Sequence, residues 1–211
     1  MTQTARRTRG AGAQQSSPVR ERILAAANEY FYAEGIRAIS ADRLIAAAGV
    51  SKVTFYRHFP TKDDLVLAYI EGRAAVERDV LERFRTEAGD ACGTLLAIAR
   101  GIADTSCSPG FRGCPFINAA AEYADPAHPA RKAIAAHRAW FVAFLMDLLE
   151  ELAIDDRETV AGQLMILRDG AMVGGYLATD PADRTEAITR AGRAVINDAR
   201  ASAASTNHAS P

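Results

Sequence analysis

The stretch from Ser40 to Lys62 constrains the fold of this chain more than any other. Ser40 is a good helix N-cap, and Ile39 and Leu44 flank it at the spacing of a hydrophobic staple, so a helix is predicted through Leu44, Ile45 and Ala48 until Gly49 stops it. Ser51 repeats the device with Val50 and Phe55 and opens a second short helix that Pro60 closes. Only three residues separate the two helices, which is the connection length of a helix-turn-helix.

At helical pitch Phe55 and Phe59 fall on one side and pin the second helix to a core, while Val53, Thr54, Arg57 and His58 fall on the other. That outer face is small and polar enough to enter a major groove. Tyr56 lies at the border, where a phenol can bury its ring and offer its hydroxyl to a phosphate. Thr61 with Asp64 reads as a capping box for a third start, which puts Lys62 in a first turn where free amides already favour phosphate oxygens.

The segment from Gly49 to Leu65, with its Tyr56-Arg57-His58-Phe59 run and the lysine opening the next helix, resembles the signature of the TetR family of bacterial transcriptional regulators. The resemblance is specific over about residues 18 to 66 and architectural beyond. It implies DNA contact by Ser40, by Ser51, Lys52, Thr54, Tyr56, Arg57 and His58 on the recognition helix, and by Lys62 on the phosphate backbone. Two positions depart from the pattern. Val53 stands where many members carry glycine or alanine, and Arg43 stands where a capping-box acid would be. A valine methyl there could meet a thymine methyl or tighten helix packing.

Charge is distributed as a DNA-reading head requires. The net charge is only −1, yet residues 1 to 62 hold ten basic and four acidic side chains, a net +6, against −7 for the remainder. A basic head on an acidic body confines attraction for nucleic acid to one end. No apolar run approaches the roughly 20 residues that span a bilayer, and the start lacks the apolar region of a signal peptide, so a cytoplasmic protein without membrane association is expected. Cys92, Cys107 and Cys114 are an odd number and fit no zinc-site spacing; no metal or cofactor is expected.

Periodicity along the chain predicts an all-α fold of about nine helices. Residues 1–17 read as a disordered basic arm, with Arg6, Arg7 and Arg9 placed either to follow a minor groove or to remain solvated. The resemblance implies that residues 18–64 are an N-terminal three-helix, helix-turn-helix DNA-binding domain and 65–200 a C-terminal helical-bundle domain for effector binding and dimerisation, while 201–211 read as a disordered tail. From Thr61 one helix continues to about Ala88 with Leu65, Tyr69, Val76, Val80 and Phe84 as its stripe. Asp155 with Glu158 begins a later helix, and Asp180-Pro181 the last, to about Arg200.

Those last two helices are rich in small residues, including Gly162, Gly170, Gly174 and Ala194, which let helix axes approach closely either within the chain or in a homodimer. A dimer suits a helix-turn-helix, which reads a palindromic double-stranded DNA operator as paired half-sites. The family resemblance further implies a repressor that lets go of DNA when a small-molecule effector fills the body. Phe116, Trp140, Phe141, Phe144, Met165 and Met172 supply a ring- and sulfur-rich lining, with Asn118, His137 and Asp169 as polar candidates beside Glu122 and Arg168. Each of these polar residues has an alternative as a locally satisfied helix residue.

The residues also admit two other functions. A disulfide between Cys107 and Cys114 would make a thiol-redox-responsive regulator of the same fold. An all-α enzyme is disfavoured, because the four histidines include no i, i+4 pair and no Glu-x-x-His motif, phosphate loop or nucleophile elbow is present.

Overall fold

The computed structural model describes residues 17–178 and 185–208, the side chains as far as Ser202. Among them are nine α-helices and no strand. α1 (Pro18–Glu34), α2 (Ala41–Ala48) and α3 (Lys52–His58) form a small head. α4 (Lys62–Ala88) leaves it and joins a body of α5 (Ala91–Ser106), α6 (Pro115–Glu122), α7 (Pro129–Glu151), α8 (Arg157–Leu177) and α9 (Thr185–His208). No helix of the described residues is long and apolar enough to cross a membrane. The basic arm through Arg6, Arg7 and Arg9, and the Asp180-Pro181 start of the last helix, lie outside the described residues.

The head is assembled by caps that the residue types dictate. The Ser40 hydroxyl accepts from the Arg43 amide at 3.2 Å, the Ser51 hydroxyl from the Thr54 amide at 3.1 Å, and Thr61 and Asp64 close a reciprocal capping box. Between α2 and α3, Gly49 takes the left-handed conformation (φ 60°, ψ 44°), so its amide and that of Val50 reach back to Ala46 and Ile45. Both staples close: Ile39, Leu44 and Phe55 are fully buried. Phe31 of α1 then meets Tyr69 of α4 edge to face at 5.6 Å, fixing the head on the long helix.

Two clusters of buried residues follow. One begins with Ile23, Phe31, Ile39, Leu44 and Phe55 and runs without interruption into Cys114, Phe116, Ala130, Ile134 and Met172 of the body. The other lies at the far end, around Leu81, Phe144, Leu148, Leu149 and Val160.

Three expectations are corrected. The inner stripe of α4 runs through Leu65, Tyr69, Glu77 and Leu81, with Val76 solvent-exposed, because the long helix turns its i, i+4 row inward and carries a charge on it. α8 is capped by Asp156, not Asp155: α7 ends in a tight reversal with Ala153 left-handed at φ 55° and Ile154 buried, which leaves the next aspartate but one at the start of the helix. α9 continues to His208 rather than stopping near Arg200, since no helix breaker stands before Pro211, so residues 201–208 are helical and not tail.

Candidate nucleic-acid interface and buried cavity

On α3 the buried Phe55 and Phe59 fix which side faces out. Ser51, Lys52, Val53, Tyr56 and Arg57 are exposed, with Thr54 and His58 half-buried beside them. Val53 is 79% exposed, so its methyls do not tighten the packing of the head. Ser51 and Thr54 are coupled, the Ser51 hydroxyl donating to Thr54 Oγ1 at 2.9 Å while its oxygen caps the helix. Lys52 lies 3.3 Å from Asp42 of α2, a solvated pair that costs little to open. Arg43 is held by Glu34 and lies over the Tyr30 ring, so the residue at the expected acid position braces α1 against α2.

Lys62 is already engaged within the head. Its ammonium donates to the Ile36 carbonyl at 2.6 Å and is half-buried, and burial depresses its pKa against the opposing pull of Glu122 and Asp63. Lys62 is therefore a brace of the α1–α2 turn. The same turn is gripped from the body. The Glu122 carboxylate at the end of α6 accepts from the amides of Ile36 and Arg37 at 2.8 and 2.6 Å. Gly35, at φ 96°, has a backbone that an L side chain rarely adopts, and a Cβ there would sit 3.3 Å from Glu122 Oε1. Nearby, Tyr32 Oη accepts from the Arg112 amide at 2.9 Å and donates to the Gly113 carbonyl at 3.0 Å.

Inside the body, Glu77 of α4 sits between two cationic or hydrogen-bonding partners. His137 Nε2 is 2.7 Å from one of its oxygens and Arg168 of α8 is 2.9 Å from the other. Burial raises the Glu77 pKa, but the hydrogen bond from His137 and the charge and hydrogen bond of Arg168 outweigh it, so the carboxyl lies below its ordinary range. Arg168 also approaches Cys114 Sγ at 3.6 Å and Asp169 at 3.1 Å, and Arg138 completes the chain to Asp169 at 2.6 Å. Phe116 stacks on His137 at 4.3 Å, and the Trp140 and Phe144 rings continue the column.

Three cavities of about 310, 300 and 440 Å³ meet at Phe141 and Arg168. Of the residues expected to line a pocket, Phe116, His137, Phe141 and Met165 wall the 300 Å³ cavity, and Met172 walls the 440 Å³ one. Trp140 and Phe144 line none of the three and act as a stack behind them. Asn118 is exposed and donates to the Arg112 carbonyl at 2.7 Å, bracing the loop before α6, and Asp169 serves the arginine pairs. Glu77 escaped sequence reasoning. Its signal is the i, i+4 row Tyr69, Arg73, Glu77, Leu81, in which two charges stand between two anchors. None of the three cysteines is in a disulfide: Cys92 is exposed, Cys107 half-buried and Cys114 buried.

A capped helix-turn-helix with a polar, exposed second helix, joined by one long helix to a cavity-bearing helical body, defines a DNA-binding transcriptional regulator. The model of the TetR family of bacterial regulatory proteins matches residues 23–69. A TetR-family transcriptional regulator from Streptomyces coelicolor is 42% identical over 86% of this chain and 95% of its own, with a TM-score of 0.81. A candidate TetR regulator from Streptomyces avermitilis is 28% identical over 88% and 99%, with a TM-score of 0.74. A TetR-family regulator from Cytophaga hutchinsonii, 18% identical over 88% and 98% at a TM-score of 0.75, shares the fold. Among curated proteins none matches the chain significantly. The chain belongs to the TetR family.

Proposed function

We propose that this regulator is a repressor that binds a palindromic operator as a homodimer and is released by a small molecule in its body. The observation that carries the reading is the outward face of α3, where Lys52, Tyr56 and Arg57 are exposed on a helix that Phe55 and Phe59 hold rigidly. Thr54, Arg57 and His58 meet base edges, with Val53 against a thymine methyl, while Ser40, Ser51, Lys52 and Tyr56 meet phosphates. Lys62 acts through the α1–α2 turn that it braces and adds long-range charge. Residues 18–64 do the reading, and residues 65–200 do the sensing and pairing.

Dimerisation is supported by α8. Ile166, Val173 and Leu177 are 69, 44 and 70% exposed on one stripe, and a Cβ at Gly162, Gly170 or Gly174 on the same side would meet nothing within 4 Å. A bare apolar stripe with room for close approach suits a second copy of α8 and α9. Release is supported by the links from cavity to head: Phe116 walls a cavity at one end of α6, and Glu122 holds the α1–α2 turn at the other. A ligand that displaces α6 pulls the head and alters the roughly 34–36 Å separation of two recognition helices.

The test is operator selection from random DNA with the purified chain, followed by sedimentation. A two-fold symmetric site bound by two chains, and monomers with lost operator affinity for Val173→Asp, are expected. An asymmetric site bound by one chain would overturn the dimeric reading.

A further inference from the structure

The 300 Å³ cavity has a chemical bias that its volume does not convey. Arg131, Arg138, Arg168 and His137 line it together with apolar walls, and no Asp or Glu is among its lining residues. Two of its polar groups are unfinished: Arg168 Nε and His137 Nδ1 are buried without a hydrogen-bond partner, on side chains 6% and 3% exposed. A guanidinium N–H cannot remove its own cost by deprotonating, and a buried donor left unmet is destabilising. The other arginine nitrogens are occupied by Glu77, Asp169 and Cys114, so Nε is the guanidinium nitrogen without an acceptor.

We propose that this cavity takes an apolar monocarboxylate of about 10 to 15 non-hydrogen atoms as the effector. One carboxylate oxygen accepts from Arg168 Nε. The other lies beside the His137 ring, whose Nε2 is engaged by Glu77. The hydrocarbon part lies against Phe116, Phe141, Ile134 and Met165. The carboxylate thereby contacts Arg168 and His137, both tied through Glu77 to α4, so ligand charge acts on the helix that carries the head. This inference rests on reading the body as an effector-binding unit.

Trp140 is the only tryptophan of the chain and stacks 6.0 Å from His137, so its emission reports the site. 3-Phenylpropionate and 4-phenylbutyrate are titrated into the full chain beside their primary amides and acetate, by fluorescence and calorimetry. An aromatic acid should bind roughly tenfold or more tighter than its amide and than acetate. The double variant Glu77→Gln/Arg168→Gln, which replaces the ion pair by an amide pair, should lose that preference. Ala120→Phe, which fills the cavity from α6 and leaves the charges in place, should lose binding altogether. Equal binding of acid and amide, equal binding of acetate, no binding of either acid, or an unchanged preference in the double variant would each overturn the proposal. Operator complexes are followed in parallel by anisotropy. An acid that binds selectively without dissociating the operator leaves the ligand class standing and removes the release reading.

Discussion

Glu122, at the last turn of α6, accepts the backbone amide of Ile36 at 2.8 Å across 86 positions of sequence. Lys62 Nζ takes the carbonyl of the same residue at 2.6 Å. The α1–α2 turn is thus held from the body by an acid and from α4 by a base, and Gly35 leaves the space the carboxylate needs.

Removing that carboxylate should loosen the head before it affects anything else. Glu122→Ala is expected to cost about 2 kcal/mol, because hydrogen bonds to a charged acceptor are the stronger kind. Glu122→Gln, which keeps one acceptor, should cost less. Urea denaturation measures both, and equal stability of Glu122→Ala and the natural chain would show that the contact holds nothing.

Glu77 gives a pH dependence. Its folded pKa is depressed below the usual carboxylate value, so its contribution to stability is present above the unfolded value near 4.5 and is lost as pH falls through the lower folded value. Glu77→Gln should therefore unfold with a flatter acid limb below about pH 4.5 than the natural chain. At neutral pH, Glu77→Leu should lose roughly 3 kcal/mol, since it leaves Arg168 charged and buried without its main partner. Circular dichroism melts across pH 2.5–7, a range set about the carboxylate pKa, distinguish these outcomes.

Gly175 of α8 packs directly against Ser106, the last residue of α5. A Cβ there would lie 2.6 Å from Ser106 Cβ and 3.0 Å from Phe111 Cε1, so Gly175→Ala should destabilise by about 1–3 kcal/mol through overpacking. Its neighbour Gly174 has open space, and Gly174→Ala should leave the melting temperature of the monomeric Val173→Asp background equal or slightly raised. Thermal melts of the pair give the comparison, and equal effects at the two positions would contradict the packing.

Contacts on α3 should separate by how their loss depends on operator sequence. Tyr56→Phe is expected to weaken binding to all operator variants alike and leave the salt slope unchanged, because a neutral phenol displaces no counterion. Thr54→Ala and Arg57→Ala should cost about 1–3 kcal/mol unevenly among variants. Lys62→Ala should reduce stability as well as affinity, because its ammonium is occupied by Ile36. Titrations at several salt concentrations read all four, and uniform losses would erase the division between phosphate and base contacts.

How much of this was legible in the sequence followed from how local the determinants are. Ser40, Ser51, Thr61 and Gly49 act on amides within three or four residues, and all three caps and the left-handed turn stand where their residue types predict. α4 is less legible because its face is chosen by distant partners: Val76 is as apolar as an anchor should be, yet His137 and Arg168 draw Glu77 inward instead. Asn118 looked like a pocket residue because it follows Phe116 on an apolar helix. A two-residue step turns it to the opposite side, onto the Arg112 carbonyl. Lys62 stands in the first turn of α4 as its place after Thr61 predicts, but its partner, a carbonyl 26 positions earlier, depends on how α1 folds back.

The core that starts at Ile23 does not stop at the end of α3. It passes through Tyr69 and Ile70 to Cys114, Phe116, Ala130 and Met172, so the reading helices share their interior with α6, α7 and α8. A fragment cut after residue 64 would lose part of its own packing, and side chains that never approach DNA set how firmly the recognition helix is held. Substitutions at Ala119 or Ala130 therefore belong to the genetics of operator affinity as much as those at Arg57.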